Sequence, residues 1–586
     1  MSNYDIYIYI YLYIYIYIFI FTAAADDSEE DEDECIDNED SNFNAITEVD
    51  EQEEVTPKQK RKKPIKLIWK HVSDKNSETQ SPLSAPSFVE DDNTDENEAI
   101  LDPIDYFRKF ITDDILQLIV EQSNLYCLQK KGKILNLDKN DFEQWLGLAM
   151  YMSLSKIPNT RLYWSGMDEK VASVMGRDKW EEIKADIHLA DNTTNMNNDK
   201  LFKVRPLVDH LRAKFQKLPR TEALSIDEQI VPFKGNSSMK QYIRNKPKKW
   251  GYKIFVLASS MGLIYDFMPY TGKIEPVNKP SVPDLKPSSN SVLQLAESIP
   301  GMKNHKLYFD NWFTSVPLIR HLATRGIWCA GTVQANRLTD LTFKSDKMLA
   351  AEGRGAYDEW VNTVDEISVT VLKWYDNKPV CFASSFAASQ PVDTCSRFEK
   401  KVQARIDVPR PHVVKVYNQH MGGVDICDQL IAYYRMTFRS KKYYHRLIFH
   451  LFDMTVVNCW LLYRRAANRI GVPPRKQMNL CEFKMKISNS LIYGGKTTGL
   501  TRKRGRPSSV VETQFKLKKL TGRHTTKIPD KSIRQDDIGH YPAVKNPRRG
   551  CKLPSCKGKT NMTCLKCNVN LCCDINKNCF LDFHNG

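Results

Sequence analysis

The sequence predicts a multidomain α/β protein with a separate cysteine-rich module at its C-terminus. At 586 residues, the chain is too long to fold around one hydrophobic core. In its centre, short β-rich segments are followed by an amphipathic helical segment and a further strand, which favours an α/β sheet. Seven of its 15 cysteines fall in the last 36 residues, a clustering typical of metal ligation in a reducing compartment.

Residues 1–100 predict a disordered N-terminal tail, because they are acidic, polar and poor in large apolar groups after the first segment. The Tyr/Ile run at 4–21 lacks a basic flank and a cleavage pattern, so we predict neither a signal peptide nor a membrane span. Alternating TAT and ATA codons would encode it, and we interpret it as translated simple-sequence DNA from a gene model. The basic patch PKQKRKKPIK at 57–66 is either a nuclear localisation signal or a solvated charge run.

The charge distribution favours a polyanionic partner. The formal net charge is +14, but residues 26–54 hold 16 acidic residues and no Lys or Arg. The rest of the chain therefore has 85 basic and 55 acidic residues. Such a surplus on a folded body rich in Trp and Tyr suggests nucleic acid before membrane, and a merely basic soluble protein is the alternative.

Changes of hydrophobic period divide the body of the chain. Apolar residues at helical spacing from Phe107 to Ile119 predict one helix, and a second follows with Asn140 as its N-cap. The apolar segment around His445, His450, Asp453 and Asn458 predicts a buried helix, since these polar residues argue against a membrane span. The predicted segments are 103–222 (helical), 223–330 (α/β), 331–411 (β-rich insertion), 412–432 (last part of the core), 433–490 (helical), 491–538 (basic linker) and 539–586 (cysteine-rich).

Four aspartates stand where active-site carboxylates are useful. Asp227 follows an apolar strand-like run in LSIDEQ, and Asp310 stands where a strand ends in LYFDNWFTS. Asp425 and Asp428 in GGVDICDQL are three apart, which puts both on one helical face. Divalent metals that act on phosphodiesters prefer carboxylate ligands from converging segments. Taken singly, each aspartate is more often a turn or helix-capping residue.

A basic and aromatic segment, MKQYIRNKPKKW, lies close to the first aspartate. Lysines and arginines next to aromatic side chains suit a DNA backbone path, and a solvated hairpin face is the alternative. Its candidate DNA-binding residues are Lys240, Arg244, Lys246, Lys248, Lys249 and Trp250, with Tyr242 interleaved.

Five motifs in order carry a family resemblance: SIDEQIVPFKG, MKQYIRNKPKKWGYKIFVL, GLIYDFMPYTG, LYFDNWFTS and YNQHMGGVDICDQL. They resemble the core of piggyBac-type transposases and of the host proteins derived from them. The resemblance runs from about Asp105 to Arg465, and the terminal cysteine cluster extends it.

This resemblance implies an RNase H-like catalytic core, split by the insertion domain and flanked by helical dimerisation and DNA-binding segments. Matched by motif, Asp227, Asp310 and Asp425 would hold two Mg²⁺ ions, and Asp428 would be a further acid near them. The implied reaction is hydrolysis at transposon ends, hairpin formation by the freed 3′-hydroxyl, and strand transfer into a TTAA target, without a covalent protein intermediate. Double-stranded DNA is the implied substrate and a homodimer the implied assembly. The alternative is a domesticated, sequence-specific DNA-binding protein without turnover.

Two positions depart from the family pattern. Tyr443 in KKYYHR stands where a Trp is expected, so its ring either stacks on a base or packs in the core. Asn236 stands where a basic residue is common, which predicts the loss of one phosphate contact.

The C-terminal cluster predicts structural zinc. Seven ligands leave two tetrahedral sites one ligand short, and either His540 or Cys573 would supply the eighth. The pairing of the ligands stays open. The cluster resembles the family's cysteine-rich domain, which binds transposon end repeats. A RING-type interaction module is a further alternative for this segment alone. The seven ligands are Cys551, Cys556, Cys564, Cys567, Cys572, Cys579 and His584.

The basic linker contains TRKRGRPS at 501–508, which resembles an AT-hook. Its Arg504-Gly-Arg506-Pro core suits a narrow A·T minor groove. A nuclear localisation signal is the equal alternative, and both favour the nucleus.

Overall fold

A computed structural model describes most of the chain, in two compact units that comprise residues 1–497 and 498–586. The acidic run, the basic patch at 57–66 and the linker segment with Arg504 and Arg506 lie outside the described residues. No helix in the described part of the chain is long and apolar enough to cross a bilayer. The described residues are 67–72, 86–90, 99–194, 199–244, 246, 248–400, 402–440, 442–494, 528–529, 531–535 and 539–585.

Residues 103–215 of the first unit are mainly helical, as the apolar period predicts. Phe107, Phe110 and Ile111 are buried, as expected, but the chain breaks after Ile111 into two helices. The predicted N-cap Asn140 is wrong: Asp138 caps the next helix, because its carboxylate accepts a 2.7 Å hydrogen bond from the Asp141 backbone N–H. The helices are α1 (Pro103–Phe110), α2 (Asp113–Lys131), α3 (Lys139–Ser155), α4 (Glu169–Val174), α5 (Arg177–Asp186) and α6 (Arg205–Phe215).

The centre of this unit is a ten-stranded sheet, counted over the described residues. Its strands in chain order are β1 (Lys70–His71), β2 (Ala223–Pro232), β3 (Gln241–Tyr242), β4 (Trp250–Ser259), β5 (Ile264–Pro269), β6 (His305–Phe309), β7 (Ile327–Thr332), β8 (Tyr357–Val364), β9 (Ile367–Tyr375) and β10 (Pro379–Ser384).

Strand β2 lies in the middle of the sheet. It pairs antiparallel with β4 and parallel with β6, and β6 pairs parallel with β7. The parallel pair β6 and β7 needs a crossover, which helix α8 (Val316–Thr324) supplies. Helix α7 (Pro287–Ala296) packs against β4 and β5. The local order β5-β4-β2-β6-β7 therefore places two parallel pairings beside two antiparallel ones.

The segment predicted as an insertion adds strands to this same sheet. Beyond β7 the order continues through β10, β9 and β8, all antiparallel. A separate hairpin pairs β11 (Asp393–Glu399) with β12 (Ala404–Arg410). A short helix, α9 (Asp346–Glu352), precedes β8.

Among the described residues of the first unit, four α-helices follow the insertion. They are α10 (His412–His420), α11 (Gly423–Tyr433), α12 (Tyr443–Arg469) and α13 (Leu480–Tyr493). Helix α12 is the long apolar helix, and its four polar side chains at 445, 450, 453 and 458 are all buried. Each of them forms hydrogen bonds to neighbouring elements, which makes α12 a core helix.

The prediction of disorder through residue 100 is wrong for two short segments. Strand β1 pairs with β8, and the buried Trp69 donates its indole N–H to the Thr339 carbonyl at 3.1 Å. Val89 donates a backbone hydrogen bond to Lys303 at 3.0 Å. The low average hydrophobicity of residues 1–100 predicted disorder throughout, although Trp69 and Val89 contact folded segments. Their partners lie more than 200 residues away in sequence.

The second unit is small. Its elements are helix α14 (Lys531–Arg534), strands β13 (Pro542–Gly550) and β14 (Lys559–Cys564), and helix α15 (Cys579–Asn585). The two strands pair antiparallel, and a cluster of buried Cys, Val, Leu and Phe side chains lies beneath them.

Candidate functional site

Asp227 and Asp310 come together because of the register of two parallel strands. The pairing of β2 with β6 runs from Ala223 opposite Lys306 to Ile226 opposite Phe309. The next residue on each strand is an aspartate, so the two carboxylates meet where the strands stop pairing. Together with Glu228, their ligand oxygens all lie within 4.8 Å of one another.

Helix α11 starts in direct contact with the same strands. A Cβ atom on Gly423 would lie 2.1 Å from the Ser259 carbonyl oxygen and 2.6 Å from Ser225 Oγ. Only glycine therefore allows the helix to begin this close to β2 and β4. Asp425 lies in the first turn of this helix.

Asp425 is exposed and is not a member of the close carboxylate group. Its charge still contributes to raising the pKa of Asp227, after burial, Glu228 and Asp310. The structure thus brings two of the three predicted metal-binding aspartates together with an unpredicted glutamate, and places the third nearby.

Asp428 lies one turn further along α11 and is more enclosed. Its Oδ1 atom is covered and has no hydrogen-bond partner among the described residues. Burial raises the pKa of Asp428 to about 7, although Arg435, Gln229 and Lys246 oppose this rise. A buried carboxylate oxygen without a hydrogen-bond partner destabilises the folded state, and such groups are typical of functional sites.

The close carboxylates repel one another. Burial, followed by the charges of Glu228 and Asp310, raises the pKa of Asp227 well above its usual range. Burial and Glu228 also raise the pKa of Asp310, against the Trp312 backbone N–H, which donates to Asp310 Oδ1 at 2.9 Å. A divalent cation would relieve this repulsion, so the residues present fit hard metal ions with oxygen ligands.

Two lysines face this acidic group. Burial alone would lower the pKa of Lys246, but Asp227, Glu228, Asp425 and Asp428 together raise it. Lys253 Nζ lies 4.3 Å from the centroid of the Trp312 ring. Burial lowers the pKa of Lys253, and Glu228, Asp310 and Asp227 oppose that change.

Sequence reasoning missed Glu228 and Lys253. Glu228 directly follows Asp227, and strict alternation along β2 would have placed it on the other face. Both residues lie next to segments that the sequence had already singled out. Glu228 lies in the first motif, and Lys253 follows the basic segment by three residues.

The other predicted DNA-binding residues form a hairpin face. Strand β3 pairs with β4 so that Tyr242 lies opposite Trp250, and their ring centroids are 4.9 Å apart. Trp250 is 44% exposed, and Lys240 Nζ lies 4.9 Å from the centroid of its ring. Arg244, Lys248 and Lys249 are exposed, as is Asn236, whereas Lys246 turns toward the acids.

Tyr443 begins helix α12 and is partly buried. Its hydroxyl donates a 3.2 Å hydrogen bond to the Lys200 carbonyl, and its ring contacts Tyr444 edge-on. This contact holds the ring against the loop before α6, and the proposed stacking on DNA stays a prediction.

The cysteine-rich unit brings eight candidate ligands into two groups. Cys564 and Cys567 lie with His540 and His584 in one group, with 3.5 Å between Cys567 Sγ and His540 Nδ1. The other group holds Cys551, Cys556, Cys572 and Cys579, whose ligand atoms also lie within 4.8 Å of one another.

The two groups alternate along the chain in a cross-brace. His540 is the eighth member of these groups, whereas Cys573 is exposed and belongs to neither group. Four sulfur and nitrogen donors at each site fit tetrahedral coordination. The geometry therefore makes both groups candidate metal sites.

Comparisons with known proteins indicate the family to which the chain belongs. Residues 102–460 match the family model described as Transposase IS4. The chain is 30% identical over 491 residues to human PiggyBac transposable element-derived protein 3, covering 82% of this chain and 76% of that protein. It is 28% identical over 510 residues to human PiggyBac transposable element-derived protein 2, covering 85% and 80%.

A solved structure also matches. It is the cryo-EM structure of the piggyBac transposase synaptic complex with hairpin DNA, with a TM-score of 0.56 and 21% identity, covering 80% of this chain and 96% of that chain. The large mixed sheet with its flanking helices is thus the fold of a transposase. The chain belongs to the piggyBac family of transposases and transposable element-derived proteins.

Proposed function

We propose that this chain is a piggyBac-type DNA transposase that cleaves DNA and transfers strands by a metal-dependent reaction. The observation that carries the proposal is the meeting of Asp227 and Asp310 at the end of the β2–β6 pairing, beside the helix that carries Asp425. Relatives over most of the chain are named after the same transposable element.

The sheet supports an RNase H-like core. The order β5-β4-β2-β6-β7, with three antiparallel strands followed by two parallel ones, is the strand arrangement expected of that fold. In this assignment Asp227 lies on the central strand and Asp310 follows its parallel neighbour. The strands of residues 331–411 then extend the core sheet at the β7 edge.

Asp227, Asp310 and Asp425 would hold two Mg²⁺ ions, and Asp428 lies close to them. Bound Mg²⁺ would activate the attacking oxygen and stabilise the leaving oxygen of the phosphodiester. The chain's own part is to hold the carboxylates ionised and in place, and Lys246 assists because it offsets their charge. Attack first by water and then by the freed 3′-hydroxyl gives a hairpin without a covalent bond to the protein.

DNA would approach along the β3–β4 hairpin. The exposed Arg244, Lys248 and Lys249 would contact phosphates, and Trp250 offers an open aromatic face for stacking. The similar solved structure is a complex with hairpin DNA, which supports DNA as the partner. TTAA as the target, a homodimer as the working assembly and the nucleus as the location belong to the same proposal.

Excision in cells tests the proposal. A reporter plasmid would carry the sequences that flank this gene, and the parent chain should excise them and restore TTAA. Asp310→Ala should abolish excision, whereas Asp178→Ala, at an exposed position of helix α5, should not. Equal excision by Asp310→Ala and the parent would defeat the catalytic assignment.

The alternative function is a DNA-binding protein without turnover. The relatives named as transposable element-derived favour it over any unrelated activity. Binding of the flanking repeats without excision by the parent chain would support this alternative.

The cysteine-rich unit would bind two structural Zn²⁺ ions and the transposon end repeats. Zinc analysis of the purified full chain should give about two ions per chain. His540→Ala should lower the content to about one, and Cys573→Ser should leave it unchanged. The reverse pattern would assign Cys573 as the eighth ligand.

A further inference from the structure

Gln229 lies on the strand that carries Asp227, two residues further along. Side chains two apart on a strand share one face of the sheet. Gln229 is fully buried, and its amide faces helix α11, where it contributes to the pKa values of both Cys427 and Asp428. It therefore connects the first candidate metal ligand to the second acid of α11.

The other end of the same amide is fixed by helix α12. His450 Nε2 lies 2.7 Å from Gln229 Oε1, and both side chains are buried. Burial, with Arg435 and Arg446 nearby, lowers the pKa of His450 well below its usual range, so the ring is neutral and has one N–H. Because a carbonyl oxygen can only accept, that N–H belongs to Nε2 and His450 is the donor.

The two ends of the amide face different partners. With Oε1 bound to His450, Gln229 directs Nε2 toward α11, where a carboxylate is a suitable acceptor. Gln229 Nε2 and Asp428 Oδ1 are both buried, and neither has a hydrogen-bond partner among the described residues. A buried donor and a buried acceptor on facing elements can form a hydrogen bond after a small movement of either side chain.

We propose that Gln229 and His450 are positioning residues for Asp428. His450 orients the amide, and the amide donates to Asp428 and directs its second oxygen toward the metal-binding carboxylates. The inference rests on the proposed metal-dependent function, because it gives Asp428 its task. Residues that orient carboxylates around a metal commonly alter metal affinity or activity about 10- to 100-fold when they are removed.

Two substitutions at one position separate orientation from packing. His450→Phe keeps an aromatic ring and loses the donor, whereas His450→Gln loses the ring and keeps an N–H donor. His445→Phe is the matched control. His445 lies on the same helix and is equally buried, but it contacts the Ile187 carbonyl and Ser440 and not Gln229.

The first measurement is Mn²⁺ binding to the zinc-loaded full chain by titration calorimetry, with Asp428→Asn as the reference. We expect His450→Phe to weaken Mn²⁺ binding about tenfold, to the level of Asp428→Asn. His450→Gln should stay within about threefold of the parent, and His445→Phe should match the parent even if its melting temperature falls. Unchanged Mn²⁺ affinity in His450→Phe, or equal losses in the Phe and Gln variants, would overturn the inference.

A crystal structure of the parent with Mn²⁺ provides a readout that is independent of folding losses. Gln229 Nε2 within hydrogen-bonding distance of Asp428 supports the inference, and an amide turned away from Asp428 overturns it. Neither measurement requires DNA cleavage. A parent chain that binds Mn²⁺ with this variant pattern but does not cut DNA would therefore contradict the proposed transposase activity and leave the positioning role established.

Discussion

Asp428→Asn should make the Mg²⁺-free protein more stable at pH 8. The folded state raises the pKa of Asp428 from 3.8 to about 7, so it binds the proton more tightly than the unfolded chain does. Each tenfold change in proton affinity is worth about 1.4 kcal/mol, which makes the cost of ionised Asp428 about 4 kcal/mol above pH 7. Asparagine carries no such cost.

The pKa of about 7 already includes the attraction of Arg435 and Lys246, so this cost is a net one. The gain is smaller than the full cost, because a buried asparagine amide without matched hydrogen-bond partners costs about 1 to 3 kcal/mol, which leaves a stabilisation of about 1 to 3 kcal/mol. The sign follows from linkage: the cost of Asp428 is fully present above about pH 7 and declines as the pH falls toward 4. The advantage of the variant should therefore shrink at pH 5.5.

Urea unfolding followed by tryptophan fluorescence measures this in the intact chain. All ten tryptophans lie between residues 69 and 460, so the signal reports on the first unit alone. Mg²⁺ should be removed by dialysis, since a strong chelator would also remove the Zn²⁺ ions proposed for the cysteine-rich unit. A variant that is less stable than the parent at pH 8, or equally stabilised at pH 8 and pH 5.5, would refute the reasoning.

Two further predictions concern the backbone and the DNA path. Gly423→Ala should destabilise the first unit by about 1 to 3 kcal/mol and reduce cleavage, since its Cβ would collide with Ser259, whereas Gly422→Ala has open space and should be tolerated. Combined alanine substitution of Lys248 and Lys249 should weaken DNA binding in filter-binding assays and lower its log–log salt slope by about 2, if each contacts one phosphate. An unchanged slope would show that Lys248 and Lys249 do not contact DNA phosphates.

The sequence predicted the parts of the site that are encoded locally. Asp227 and Asp310 each follow an apolar run, and two runs of that kind become neighbours in a parallel pair. The cysteine spacing likewise predicted the module, and the structure then distinguished His540 from Cys573. The two aspartates and the cysteine spacing could both be predicted because each depends on a pattern within a short stretch of sequence.

Other parts depend on contacts between distant segments. The strands of residues 357–384 join the core sheet through the pairing of β10 with β7, and no local sequence pattern predicts this pairing. Trp69 finds its partner Thr339 across 270 residues. His450 was recognised as a polar residue in a buried helix, but its partner Gln229 lies 221 residues earlier. Register and packing decide such contacts, and they emerge only when the whole sheet is assembled.

The most direct test is strand cleavage by the purified full chain with Mg²⁺. The substrate is a duplex that ends in the repeat flanking this gene, next to TTAA, and the products are separated on a denaturing gel. We expect a nick followed by a hairpin for the parent, and intact DNA with unchanged DNA affinity for Asp310→Asn. Hairpin formation by Asp310→Asn at the parent's rate would contradict the claim that these carboxylates carry out the chemistry.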